Sequence, residues 1–252
     1  MNKPFWFLTL SVGVALTLQA CGGGSGGSDS GNGTDGSNLL DRQARLTFVN
    51  TAREPVDVFV TNGENASNST LFQQGNLKSG NLVDRTHREY THRWGNNSAL
   101  SVTIGIWDSK YQLEEEPALT NTLLNNGEDW WTVVWLDGET TNSFRVTTIR
   151  RENDDNVPDD QYRIRVFPNK DIRIDYESAT ASGSAEVGAG KVSSPILMAS
   201  CGDQFEISAT KGEAGNNLDP IQLDLCSIPD LEPGDSYLVI TSDDDILYAV
   251  EE

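Results

Sequence analysis

Residues 45–60 read RLTFVNTAREPVDVFV, two short runs, Arg45-Leu46-Thr47-Phe48-Val49-Asn50 and Val56-Asp57-Val58-Phe59-Val60, separated by a turn at Pro55. Both runs are rich in β-branched and aromatic residues, and the proline falls between them, where a missing N–H costs no ladder bond. The same statement returns downstream as Arg163-Ile164-Arg165-Val166-Phe167, a turn at Pro168-Asn169, and Ile172-Arg173-Ile174-Asp175-Tyr176. A second echo links Leu124, Gly127 and Trp130 with Leu231, Gly234 and Tyr237, each set at three-residue spacing and each leading into a β run. The chain is therefore read as a duplicated β unit.

Working outward, period-two patterning places further strands at 99–107, 130–136, 143–150, 162–167, 204–210, 236–241 and 246–250. No segment sustains a helical period. The expected fold is all-β, with two tandem antiparallel β-sandwiches of immunoglobulin-like type over 42–151 and 162–252. The acidic stretch 152–161, with Asp154, Asp155, Asp159, Asp160 and Pro158, is expected as the linker.

The amino terminus has a different character. Lys3 precedes an uncharged run over 5–20 (FWFLTLSVGVALTLQA), shorter than the roughly 20 apolar residues of a membrane helix and ending in the small residue Ala20 before Cys21. Residues 1–20 are predicted to be a signal peptide. Leu18-Gln19-Ala20-Cys21 resembles a bacterial lipobox, which implies cleavage before Cys21 and attachment of fatty chains to its sulfur. Gly22 beside it resembles an outer-membrane rather than an inner-membrane retention signal. Residues 22–38 contain only Gly, Ser, Asp, Asn and Thr, and with the anchor cysteine define a disordered tether over 21–41. A Gly-rich coil of that length spans roughly 20–25 Å on average. The expected address is the cell envelope, with the chain held to the outer membrane through Cys21.

With 38 acidic against 18 basic residues and a formal charge of -20, the chain is unsuited to nucleic acid or to an anionic bilayer surface. Cys201 and Cys226 are the thiols left after Cys21, and export to an oxidising compartment predicts a disulfide between them.

Phe48 to Val60, with its strand, Pro turn and Val-Asp-Val-aromatic strand, resembles the opening of the bacterial domain of unknown function numbered 4397. Gly127 to Val134 and the join of Asp154-Asp155-Asn156 to Arg163-Ile164-Arg165-Val166 are similar to later features of that family. The second copy departs from it in a shortened turn at Pro168 to Asp171 and in the insertion carrying Cys201 and Cys226. The resemblance implies tandem β-sandwich modules in lipid-anchored envelope proteins and implies no defined activity.

Sequence spacing selects no catalytic group. His87 and His92 lie five residues apart amid Arg85, Arg88 and Arg93, which suits neither one strand face nor a cation. The acidic clusters 114–116, 154–160 and 243–245 offer oxygen ligands without a calcium-loop pattern, so neither a metal nor a cofactor is expected. The aromatics are the stronger lead: Trp94, Trp107, Trp130, Trp131 and Trp135 all fall in the first unit. Alternation puts Trp131 and Trp135 on one strand face and Trp130 on the other, so one tryptophan is expected to be exposed unless the strand is covered twice. Trp130, Trp131 and Trp94 are the candidate ligand-binding residues. The expectation is a non-enzymatic module that recognises glycan or protein partners or supports the envelope; an anchored hydrolase acting on envelope or extracellular substrates is the alternative.

Overall fold

The computed structural model describes residues 42–63, 69–95, 99–109, 116–137, 143–152, 157–209, 220–242 and 245–252. The signal segment, Cys21 and the tether lie outside the described residues, as do Glu114, Glu115, Asp154, Asp155, Asp243 and Asp244. The fold is all-β. The first half contributes β1 (Arg42–Asn50), β2 (Val56–Asn62), β3 (Thr70–Leu77), β4 (His87–Trp94), β5 (Leu100–Asp108), β6 (Ala118–Leu124), β7 (Asp129–Leu136) and β8 (Phe144–Arg150). The second half contributes β9 (Tyr162–Pro168), β10 (Ile172–Glu177), β11 (Ser182–Val187), β12 (Ile196–Met198), β13 (Gln204–Ala209), β14 (Ile221–Gln222), β15 (Ser236–Thr241) and β16 (Ile246–Glu251), with a 3-10 turn at Leu225–Ser227.

These strands form four sheets, ordered β4-β1-β7-β8, β3-β2-β5-β6, β12-β9-β15-β16 and β11-β10-β13-β14. Adding eight to each strand number of the first pair reproduces the second pair, so the two halves share one topology. The sheets are not wholly antiparallel, as the sequence reading had them: β1 runs parallel to β7, and β9 parallel to β15. The chain crosses to the opposite sheet between β1 and β2, so β1 is left to pair with strands that arrive later, and β7 arrives in the same direction.

Period-two patterning decides the layers. Leu46, Phe48, Val58, Val60, Ile104 and Val134 fill the core between the first two sheets, while Ile164, Val166, Ile174, Phe205, Ile207 and Val239 fill the corresponding core of the second half. A third apolar cluster uses the opposite faces of β1, β7 and β8, with Val49, Trp131, Val133, Trp135 and Ile149 packed against Phe167, Leu238, Ile240 and Tyr248. The sheets containing β1 and β9 thus stack back to back, giving four layers. This explains why β7 is apolar on both sides: one face belongs to its own sandwich and the other to the neighbouring half. Gly190, with φ +69°, is required at this contact, since a Cβ there would sit 2.3 Å from Cζ2 of Trp135.

Cys201 and Cys226 form a disulfide across 25 positions with their Cα atoms 4.9 Å apart, tying the start of the insertion to the 3-10 turn.

A candidate binding cleft between the two halves

The covered strand corrects the expectation of an exposed tryptophan. Trp131 is 3 % exposed and faces the second half, Trp94 is 6 % exposed at the end of the first core, and Trp130 is half-buried against that same core. Among the described residues the indole N–H groups of Trp130 and Trp131 are buried without a hydrogen-bond partner, while that of Trp135 donates to Oγ1 of Thr147 at 3.1 Å. Trp94 and Trp131 therefore offer no open ring face, and the three residues do not form one site.

The histidines stand on β4. His87 and His92 have opposite strand parity, as their spacing required. The ring of His92 lies between those of Tyr90 and Trp94, with its Nδ1 2.7 Å from the Tyr90 hydroxyl. Burial holds its pKa below the ordinary imidazole value. His87 meets the carbonyl of Arg85 at 3.0 Å. Together these contacts close the sandwich edge between β3 and β4, where Phe72 stacks on Tyr90 at 4.6 Å. Among the described residues no three His, Cys, Asp or Glu side chains approach closely enough to hold a metal ion.

The chemically distinctive region lies where the back-to-back sheets run out of apolar residues. On β9, Arg163 and Arg165 share the face of Phe167, so the interface changes from apolar to ionic within one strand. Arg165 is almost wholly buried and donates to both carboxylate oxygens of Glu252, whose side chain has no exposure. It also reaches Oε1 of Glu152 at 3.3 Å and the carbonyl of Arg150 at 2.9 Å. Arg163 donates to Oγ of Ser236 at 2.9 Å and to the carbonyl of Glu152 at 3.1 Å. Arg45, its counterpart in the first half, donates to Asp129 across the matching parallel pair at 2.5 Å. Every charge on β9 is thereby satisfied, as a buried ion needs to be.

Arg151 is held differently. Its guanidinium lies 4.4 Å above the Trp131 ring, Nη2 donates to the carbonyl of Glu251 at 3.2 Å, and Nε is buried with no partner among the described residues. Burial, followed by the nearby Arg45 charge, lowers its pKa. It lines a cleft of about 670 Å³, bounded by the loop Gly127 to Asp129, β8 from Thr147 onward, Arg165 and the loop Gly190 to Val192. That volume lies within the range of small-ligand sites. Four cations, Arg150, Arg151, Arg165 and Lys191, line it beside three acids, Glu128, Asp129 and Glu152, a local excess of one positive charge in a strongly acidic chain. Glu128 engages Arg150 at 3.4 Å, and Arg165 is saturated by its carboxylates, which leaves Arg151 and Lys191 as the cations with capacity for an incoming anion.

No family model matches the chain, and no curated protein matches it. Among solved structures, the Bacillus anthracis TIE protein is similar to it at 7 % identity with a TM-score of 0.25. That match covers 81 % of this chain and 34 % of the other, so the chain spans about a third of that protein's length.

Proposed function

We propose that this chain is a non-enzymatic recognition protein of the bacterial envelope, held to the membrane through Cys21, and that its binding site is the cleft between the two halves. The ligand is an anionic group on a glycan or protein partner. The observation that supports this reading is Arg151, a cation fixed over Trp131 on the wall of an open cleft. Burial makes its charge costly, and an anion in the cleft offsets that cost. The back-to-back packing supports a rigid role as well, since a site shared by two halves keeps its geometry only while they remain docked. The immunoglobulin-like class of the sandwiches and the kinship with domain 4397 belong to the same proposal.

The test is calorimetric titration of the full chain with acidic oligosaccharides and acidic peptides at low and high salt. Binding that weakens with salt and is lost in Arg151→Gln supports the reading. An Arg151→Gln protein that melts normally and binds as before refutes it. Mass spectrometry of the envelope-extracted protein tests the anchor: a polypeptide that keeps residues 1–20, or one with an unmodified Cys21, ends that part.

A further inference from the structure

We propose that the outer face of the sheet β3-β2-β5-β6 is a second site, separate from the cleft, and that it takes a short uncharged saccharide. The inner face of this sheet belongs to the first core through Val58, Val60, Ile104 and Leu124, so the alternate residues point away from it. Register sets Gln73, Phe59, Gly105 and Leu119 side by side across the four strands. The Phe59 ring lies over Gly105, where a Cβ would sit 2.0 Å from its Cζ, and stacks on Trp107 at 4.3 Å. Phe59 is itself buried and braces Trp107, which stays partly exposed, while Leu119 and Leu123 are 49 % and 56 % exposed.

The second half shows that the fold does not need such a surface. In its sheet β11-β10-β13-β14 the corresponding row is Ser184, Asp175, Glu206 and Gln222, with Ser208 in the place of Trp107. There Asp175 pairs with Arg173 at 2.9 Å, as the solvated face of an antiparallel sheet does. The first half instead exposes aromatic and aliphatic groups that water disfavours, which marks a contact surface. Charge, extent and chemistry select the occupant. Among the described strand residues of this face Asp57 alone is charged, and it is buried, its Oδ1 accepting from the N–H of Asn76 at 2.7 Å and from Oγ of Ser109 at 2.6 Å. The face is thus neutral in a chain of charge -20, and attracts neither an ion nor a second copy. Four strands cover about 14 Å, and the run from Ser101 to Trp107 about 20 Å, or roughly 300 Å². A standard protein interface takes about 800 Å² from each partner, so the face suits a smaller ligand. A sugar ring has an apolar C–H face, which a tryptophan ring matches, and a rim of hydroxyls. For the rim, Oδ1 of Asn121 accepts from Oγ1 of Thr103 at 2.8 Å, which leaves its exposed amide N–H groups, with those of Gln73, to donate outward.

The experiment titrates the full chain with cellohexaose, chitohexaose and maltohexaose, and with hexagalacturonate as the charged counterpart, while tryptophan emission is followed. At least one neutral hexasaccharide is expected to bind with the same affinity at low and high salt and to shift the emission. Trp107→Ala is expected to weaken that binding at least about tenfold and to remove the emission change. Because this substitution also unstacks Phe59, Leu119→Gln and Asn121→Ala are made separately at exposed positions, and each is expected to weaken binding about three- to tenfold in a protein that melts as before. No binding of any neutral hexasaccharide, or binding that survives both exposed changes, overturns the proposal. Sedimentation over a concentration series tests the other occupant: a dimer that is lost in Leu119→Gln makes this face a self-association surface and overturns the proposal as well. Salt-dependent binding of hexagalacturonate that is lost in Trp107→Ala overturns the uncharged class, whereas the same binding lost in Arg151→Gln belongs to the cleft, so the two readings fail separately.

Discussion

Replacing Glu252 by Gln tests how much stability comes from the buried Arg165–Glu252 pair of the second half, which holds Arg165 where it reaches the Arg150 carbonyl of the first. The substitution keeps the shape of the side chain and removes its charge, leaving Arg165, only 4 % exposed, without the carboxylate that accepts two of its bonds. Stranding one member of a fully buried pair costs about 3–5 kcal/mol. Here Glu152 remains 3.3 Å away, but its side chain is 41 % exposed and its field is screened, so the compensation is incomplete. The expected loss is about 2–3 kcal/mol, or about 5–10 °C in Tm for a folded body of this size. Glu152→Gln, which removes the exposed partner, is expected to cost less than about 1 kcal/mol. Urea and thermal unfolding, followed by circular dichroism and tryptophan fluorescence, measure both. Because Trp131 and Trp135 lie at the interface, their emission reports separation of the halves before general unfolding. If Glu252→Gln and Glu152→Gln cost the same, or if the former costs under about 0.5 kcal/mol, Arg165 is not anchored as argued.

Tyr248→Phe removes a buried hydroxyl that has no partner among the described residues, so differential scanning calorimetry is expected to find stability unchanged or raised by up to ~1 kcal/mol. Burial pushes Tyr248, and likewise Tyr237, up to about 12 from the ordinary phenol value near 10. Both groups are neutral in the folded and unfolded chain below pH ~10. Above it the unfolded chain ionises first, so stability falls as the pH rises from about 10 to about 12, and Tyr248→Phe is expected to reduce that slope. Gly190→Ala is expected to cost more than ~2 kcal/mol in chemical denaturation, since it combines a left-handed backbone with a Cβ inside the Trp135 ring. A fully stable variant would mean that the loop moves freely away from the interface. The double replacement Cys201→Ala with Cys226→Ala opens a loop of 25 positions, for which chain entropy gives a loss of about 3–4 kcal/mol in urea unfolding, with the cleft ligand still bound.

The interior strands were legible because they carry the pattern that their surroundings impose. Val56 to Thr61 and Trp130 to Leu136 are β-branched and aromatic runs, and they lie at central positions in their sheets. Of the edge strands, β8 and β16 were legible at 143–150 and 246–250, but others were not: β3 (TLFQQGNL), β4 (HREYTHRW) and β11 (SGSAEV) are polar, charged or glycine-bearing, as solvent-facing edges are. Their pairing is decided by neighbours far along the chain, and so are the parallel contacts of β1 with β7 and of β9 with β15. Alternation placed Trp130 and Trp131 on opposite faces, and the structure agrees. It could not reveal that both faces are covered, because the cover over Trp131 comes from Leu238 and Phe167 of the other half. The cleft residues had a signal that went unused. In Arg163-Ile164-Arg165-Val166-Phe167 the arginines share parity with Phe167, so a face apolar at one end and cationic at the other was already written there. Arg151 and Glu252 carried no such signal, since each acquires its role from residues far along the chain, Glu251 for the one and Arg165 for the other.

The equivalence of the halves explains why the functional chemistry collects at this end of the interface. The N–H of Arg151 donates to the carbonyl of Asp129 at 2.9 Å, and that of Glu252 to the carbonyl of Ser236 at 2.8 Å, so the two residues occupy the same place in their respective copies. The same correspondence relates Val49 to Phe167, Val133 to Ile240 and Ile149 to Val250. The halves therefore meet through the same face, as the subunits of a two-fold dimer do. An apolar face can meet a copy of itself at any point, whereas an ionic one must set each charge opposite its complement and away from its own copy. Covalent linkage of two copies removes that restriction, since each can change independently. One copy bears arginine where the other bears glutamate, and Thr47 in the first half corresponds to Arg165 in the second. The apolar end of the interface retains near symmetry and serves packing. The ionic end departs from it: Arg151 stands on the cleft wall where the second copy has Glu252 buried against Arg165, and four cations beside three acids leave that end with one excess positive charge.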